Sequence, residues 1–489
     1  MSHERPAIVQ RPYGQRLWVK TSIYLLPLFF SGLCLSATAR ADWQFQPNLR
    51  ASETYSNNIR LDRQHPEHDW VSELAAGFSV NRSKERSSAA LEYQLQGLHF
   101  SRMSAMDEVF QQLHGVTHLQ RSETGPYLDG LASLSQQTVD ANLPAVSDNI
   151  FATGNRADQT DLQLAPGILS KLGSTAMSDL RFSHKQTEYS KGRIDSFTNA
   201  INLNLSDAHP KRLDWQWSAR KERVRYSNDA ATEFRSTLLN IQMSATKRSR
   251  ILLTGGYDDT RSAVPGQLSR SGSRWSAGID WAPSHRTHLM LTAGERYFGN
   301  TYEMEFTHDY HKDHWGLSYV EDVVTTANDS AILNQVSTGV NGVSTFVTDV
   351  YISKLFTASY LHQGHRGDLD VQVYQQRREF GSTLGVEAVR SAVVGGFFQV
   401  KPRTGLHWSA SLLYRRPALI SATDRTRDLS VWLAHDLEKG GSLSLKYRNL
   451  HRSGSGFVSG YEASAVSIVY ERQFGATSLS GQDSSAVAR

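Results

Sequence analysis

AVSIVYERQF, residues 465–474, carries Val466, Ile468, Tyr470 and Phe474 at alternating positions, with Ser467, Glu471 and Gln473 among the residues between them. A strand has a side-chain period of two, so the apolar set shares one face and the polar set the other. A barrel wall in a membrane needs this pattern: an apolar residue toward lipid at every second position and freedom to be polar between. The terminal aromatic then ends the strand at the membrane interface. A strand of a soluble sandwich alternates in the same way, so recurrence of the pattern and the segment that precedes it have to decide the fold.

The pattern does recur, in segments of about ten to fourteen residues, near the length a tilted strand needs to cross hydrocarbon. Leu74, Ala76, Phe78 and Val80 alternate with Glu73, Gly77, Ser79 and Asn81, and Leu213, Trp215, Trp217 and Ala219 with Asp214, Gln216, Ser218 and Arg220. Trp275, Ala277, Ile279 and Trp281 face away from Ser276, Gly278 and Asp280. About 22 such segments fit between Trp43 and Phe474. The connectors divide into short turns after even-numbered segments, such as 83–87, 173–174 and 283–286, and longer links after odd ones, above all 139–156 and 325–350. That asymmetry is the one expected of short periplasmic turns opposite longer outside loops. The reading is therefore all-β: one large transmembrane, antiparallel, up-and-down β-barrel with an even strand number of about 22, within a range of 16–22. Tyrosine and tryptophan near segment ends (Trp43, Trp70, Tyr127, Tyr189, Tyr226, Trp281, Tyr297, Tyr414) suit the headgroup boundary.

Residues 1–41 read as an export signal: Arg11, Arg16 and Lys20 precede the apolar run 23–35, and Ala39 and Ala41 form the small-x-small cleavage site around Arg40. The run is too short for a spanning helix. The barrel then occupies 42–474, and the Ser/Gly/Ala-rich stretch 475–489 is a flexible C-terminal tail. The only cysteine, Cys34, falls in the signal, which removes any disulfide framework from the mature protein. Of 52 basic and 48 acidic residues, five basic and one acidic lie in the signal, leaving 47 of each sign. A mature chain without net charge loses the main compositional support for nucleic-acid binding, and none is expected.

A barrel of this width cannot be filled by side chains alone, so function falls to its inward face. Candidate pore-lining residues are Glu92, Gln94, Gln96, Asp179, Arg181, Lys185, Asn202, Asn204, Gln216, Arg220, Asp280, Gln372, Gln376, Lys446 and Arg448. Both signs and many amides occur, which suits a bulky, hydrated, weakly charged cargo better than a selective ion filter. The link 325–350, rich in small and polar residues, is long enough to fold inward as a gate, although an ordinary exposed loop is the plainer expectation. His308, Asp309, His311, Asp313 and His314 are the one metal-like concentration, but their spacing matches no known site, and neither a metal nor another cofactor is expected. No Gly-x-Ser-x-Gly elbow, Walker loop or His-Glu-x-x-His occurs, and no catalytic residue is assigned.

Three stretches carry a resemblance to a known family: 43–61 (WQFQPNLRASETYSNNIRL), 275–319, in which Gly294, Glu295, Arg296, Tyr297, Phe298 and Gly299 are followed by Tyr302, and 461–474 (YEASAVSIVYERQF). They resemble the outer-membrane β-barrel proteins associated with PEP-CTERM sorting and exopolysaccharide gene clusters. The resemblance implies a non-enzymatic, porin-like conduit in the bacterial outer membrane for an exopolysaccharide or capsule. Its implied partners are outer-membrane lipid, the exported polysaccharide, a periplasmic polysaccharide-export protein and the barrel-assembly machinery. The tail beyond Phe474 departs from the usual terminal aromatic. Two alternatives stand beside this reading, a general diffusion porin or structural barrel, and an outer-membrane enzyme that modifies lipid or polysaccharide.

Overall fold

The computed structural model describes residues 43–144, 148–210, 212–263, 269–325, 327, 350–380, 385–417, 422–456, 458–475 and 477–478. The expected export signal, nearly all of the expected gate 325–350 and most of the tail lie outside these residues. Twenty-two long strands make the wall. The first eleven are β1 (Gln44–Ser56), β2 (Asp69–Lys84), β3 (Ser87–Phe100), β4 (Glu108–Gln120), β5 (Gly125–Thr138), β6 (Arg156–Leu172), β7 (Ala176–Tyr189), β8 (Ser196–Asp207), β9 (Leu213–Tyr226), β10 (Ala231–Ser244) and β11 (Ser249–Ser262). The others are β12 (Arg270–Ser284), β13 (Thr287–Arg296), β14 (Gly299–Tyr310), β15 (Asp313–Thr325), β16 (Val350–Gln363), β17 (Gly367–Phe380), β18 (Val386–Lys401), β19 (Thr404–Arg416), β20 (Asp424–Asp436), β21 (Gly441–Gly454) and β22 (Tyr461–Gln473).

Each strand pairs antiparallel with its sequence neighbours, and β1 pairs with β22 from Asn48 opposite Gln473 to Ser56 opposite Ala465. The ring is therefore closed and has no free edge. Closure matters because hydrocarbon offers no partner for a bare N–H or C=O. Alternation does the rest. Along β12 the outward Trp275, Ile279 and Trp281 are about half exposed while Asp280 between them is buried. Along β22 the outward Val466 and Ile468 are exposed, and the inward Ala465, Ser467 and Val469 are buried. Exposed leucine, valine and aromatic side chains recur in this way around the ring and form an apolar outer belt, so the molecule is a transmembrane barrel of the bacterial outer membrane in contact with lipid.

Turns after even-numbered strands are tight. Two residues suffice at 85–86, 285–286, 311–312 and 402–403, where His311 and Arg403 take the left-handed conformation with φ of 53° and 65°. Links after odd-numbered strands include 57–68, 139–155 and 326–349. One of them is short: Tyr297 and Phe298 alone join β13 to β14, with Gly299 supplying a φ of 126°. The even ends are the periplasmic rim, on which the chain also enters β1 and leaves β22.

The principal buried apolar cluster lies inside the barrel mouth. Ile59 and Leu61 from the 57–68 link and Phe151 from the 139–155 link meet Val71, Leu98, Phe100, Phe110, Leu450, Tyr461, Ala463 and Ala465 of the wall.

Candidate functional site: the lumen wall and the loop that enters it

Outward neighbours fix where the fifteen candidate lumen residues point. Leu95, Leu180, Phe182, Ile201, Leu213, Ile279, Val373, Leu445 and Tyr447 are exposed on the outer surface, so Glu92, Gln94, Gln96, Asp179, Arg181, Lys185, Asn202, Asn204, Gln216, Arg220, Asp280, Gln372, Gln376, Lys446 and Arg448 sit on the inward face. Register brings six of them together. Asp179 stands opposite Asn204, Arg181 opposite Asn202, and Asn202 in turn opposite Arg220, with Gln216 further down β9. The others are spread around the ring.

Most inward charges are paired within the wall. Arg181 lies 2.9 Å from Asp129, whose other oxygen is 2.6 Å from His118, and Tyr127 donates to Asp179 at 2.7 Å. Asp280 lies 2.8 Å from Arg250 and 3.0 Å from His288. Arg296 bridges Asp258 and Asp322 at 2.8 and 2.9 Å. On β17 to β19, Glu387 is shared by Arg378 at 3.1 Å and Arg415 at 2.9 Å. Lys185 is looser, 3.9 Å from Asp161. Both signs of charge alternate along the wall, and among the described residues these clusters form no ring of one sign.

The described parts of the 139–155 link, 139–144 and 148–155, turn inward across the mouth. Asn149 donates to Gln96 at 2.9 Å, and Gln96 donates to Glu73 at 2.8 Å. From the opposite flank of this sector, Arg452 donates to the carbonyls of Ala141 and Leu143 at 2.6 and 2.5 Å while holding Asp424 at 2.7 Å. Arg448 joins Asp148 of the link to Asp428 of β20. Two backbone bonds finish the seam, Ala152 to the Ile59 carbonyl and Ser459 to the Asn142 carbonyl. Removal from water pushes the Asp148 carboxyl up, but Arg448, Arg156 and Lys446 outweigh that and hold it below the usual carboxylate range. The link thus ties the top of β3 to β20 and β21 and narrows the mouth over this sector. Length alone marked it in the sequence; that it turns inward is written in contacts some 300 residues apart.

A row of rings near the periplasmic rim was not among the candidates. Phe397, His407 and Trp432 are directly opposite one another on β18, β19 and β20, and Lys446 follows on β21. All are inward, since Phe398, Leu433 and Leu445 are the exposed outer residues beside them. Ring centroids are 4.7 Å apart for Phe397 and His407 and 5.0 Å for His407 and Trp432, the latter pair stacked at 4°. The Lys446 ammonium lies 5.7 Å from the Trp432 centroid. Gly405 makes room: a Cβ there would fall 2.3 Å from the Phe397 ring. Each member sits in a strand whose other residues look ordinary, and only the register lines them up.

One expectation changes. Tyr127, Tyr189 and Tyr226 do not stand at the headgroup boundary, because each falls on the inward face: Tyr127 bonds Asp179, Tyr189 lies under Arg193, and Tyr226 is buried against Val224. Trp70 and Trp281 do point outward. The His/Asp concentration at the β14–β15 turn separates into pairs, with His308 on Thr287, His314 on Asp309, and Asp313 shared by His362 and Tyr360. Among the described residues no group of three or more such side chains could hold a metal ion.

No family model matches the chain, and no curated protein matches it. Solved structures do. The FrpB iron transporter from Neisseria meningitidis (F5-1 variant) superposes with a TM-score of 0.53 at 10% identity, over 89% of this chain and 82% of that one. BauA, the ferric preacinetobactin receptor from Acinetobacter baumannii, gives 0.50 at 10% identity, over 87% and 80%. At such identity the likeness is one of fold, a large barrel closed in the same manner.

Proposed function

We propose that this barrel is the outer-membrane conduit for an exported exopolysaccharide or capsule, fed by a periplasmic export protein and an inner-membrane synthesis machine, as the PEP-CTERM and exopolysaccharide-locus resemblance implies. The observation that carries the reading is the Phe397, His407 and Trp432 row at the periplasmic end of the lumen. Sugar rings present apolar C–H faces to such a platform and hydroxyls to its surroundings. Asn, Gln and paired charges further up the wall exchange water hydrogen bonds for sugar ones at little net cost. Each contact is weak, as conduction demands, because a cargo that binds too well does not leave. Transport at this step is passive, and the chain assigns no group to a reaction.

Deleting the gene tests it. A conduit mutant makes polymer, retains it in the periplasm and shows none on the surface. Normal surface polymer with altered small-solute uptake would point to a diffusion porin instead, and exported polymer of changed chemistry to an enzyme.

A further inference from the structure

The outward face of β16 to β20, just above the apolar belt, carries six cations and one acid. Lys354 and Arg377 stand directly opposite each other, a like-charge pair that Glu379 bridges at 3.3 and 2.8 Å. Arg390, Arg416, Arg425 and Arg427 continue the surface across β18, β19 and β20, all exposed. Arg390 and Arg425 both face Tyr414, and Arg425 lies over its ring at 5.7 Å. Among the described residues none of these four arginines has an ion-pair partner; Arg427 reaches only Asn449, at 3.3 Å.

Their orientation follows from the strand period. Val373, Leu412 and Leu429 are exposed outer residues on the same strands, separated from Arg377, Arg416 and Arg427 by an even number of positions. Arg427 and Arg390 sit two residues above Leu429 and Ala392, so the charges begin where the apolar belt stops. The odd-to-even links place this border at the outer leaflet. Elsewhere on the rim outward acids stand among the cations: Glu53, Glu295 and Glu321 lie near the same ends of β1, β13 and β15, and the basic stretch Lys221, Arg223, Arg225 and Arg235 on β9 and β10 surrounds Glu233, which pairs with Lys221 and Arg235. Five adjacent strands span roughly 19 Å at the usual strand spacing of about 4.8 Å.

Cations crowded at the edge of a low-dielectric phase repel one another unless an anion neutralises them. Five of the six are arginine, whose planar fork matches phosphate oxygens in a bidentate fashion. We infer that the outward face of β16 to β20 is a binding site for the phosphate groups of anionic lipid in the outer leaflet, held by Lys354, Arg377, Arg390, Arg416, Arg425 and Arg427. The lipid seats its acyl chains on the belt below and its phosphates on this row. The site lies outside the lumen and is independent of the cargo.

The test uses the mature barrel purified in a neutral detergent, with lipid retention read by native mass spectrometry and displacement of a fluorescent lipid. Diphosphorylated lipid A should bind at least about tenfold tighter than its dephosphorylated counterpart, and less so as salt is raised. The triple variant Arg390→Gln, Arg416→Gln, Arg427→Gln should lose most of that preference, while the matching Arg→Lys triple keeps it to within about threefold. Heat-dependent gel mobility reports folding in each case. Should the glutamine triple fail to fold, Arg416→Gln alone, expected to weaken binding about fivefold, takes its place. Equal binding of the two lipids, an unaffected glutamine variant, or displacement by a soluble anionic polysaccharide at equal charge would overturn the inference.

Discussion

At the scale of single residues, facing decides what a substitution does. Ile468 is outward and 56% exposed to lipid, whereas its neighbour Ser467 is inward and bonded by Thr54 at 2.8 Å. Ile468→Arg places a charge in hydrocarbon and should cost about 2–4 kcal/mol in urea unfolding, since the midplane is where such a change is worst. Trp432 belongs to the inward row and supports no lipid contact. Trp432→Ala should leave heat-dependent mobility intact and cut polymer display severalfold, by removing the stacked partner of His407 and the seat of Lys446. Unchanged display in that variant would remove the row from the transport path. Alternation made the facing of Ile468 readable from the chain, and the same rule placed Gln94 and Asn204 inward. It also should have corrected the headgroup assignment of Tyr127, which falls on the same parity as Asp129.

Elements show where reading of the chain ran out. All 22 strands lie where alternating segments suggested, because each must satisfy a local rule: apolar every second residue for the width of a bilayer. Loops obey no such rule. The 139–155 link is held by Arg448, Arg452 and Gln96, residues that no local pattern connects to it. Asp148→Asn weakens one anchor and leaves Arg448 on Asp428, so the loss should be about 1–3 kcal/mol of loop docking, seen as larger and noisier single-channel conductance in planar bilayers. Acid should act the same way, but late. The Asp148 carboxyl is held below its ordinary value, so docking is fully present above the usual carboxylate pKa and is lost only as pH falls through the lowered one. Conductance at pH 5 should therefore equal that at pH 7 and rise only below about pH 4. The Asn variant should lack that acid step.

For the whole molecule the controlling fact is closure. The β1–β22 seam joins residues more than 400 positions apart and removes the last two edges of the sheet. A chain cut before Tyr461 keeps twenty-one strands yet exposes a bare edge on β1 and another on β21 to lipid. It should fail to assemble, leaving no heat-modifiable band and no protease-protected product in outer-membrane fractions. The likeness to iron-receptor barrels at 10% identity fits the same point. Hydrocarbon constrains the outer face of any such wall, and the lumen is left free to diverge.

By itself the sequence determined the class, an even strand number near 22, the rim from which the long links leave and most of the facing of the wall, since each follows from a period of two repeated against a slab of fixed thickness. Only the tertiary structure decided which residues of the two faces meet. The Phe397, His407 and Trp432 row, the Arg448 bridge to Asp148 and the arginine surface on β16 to β20 all depend on register between strands, and register is set by pairing around the closed ring, which no single segment encodes.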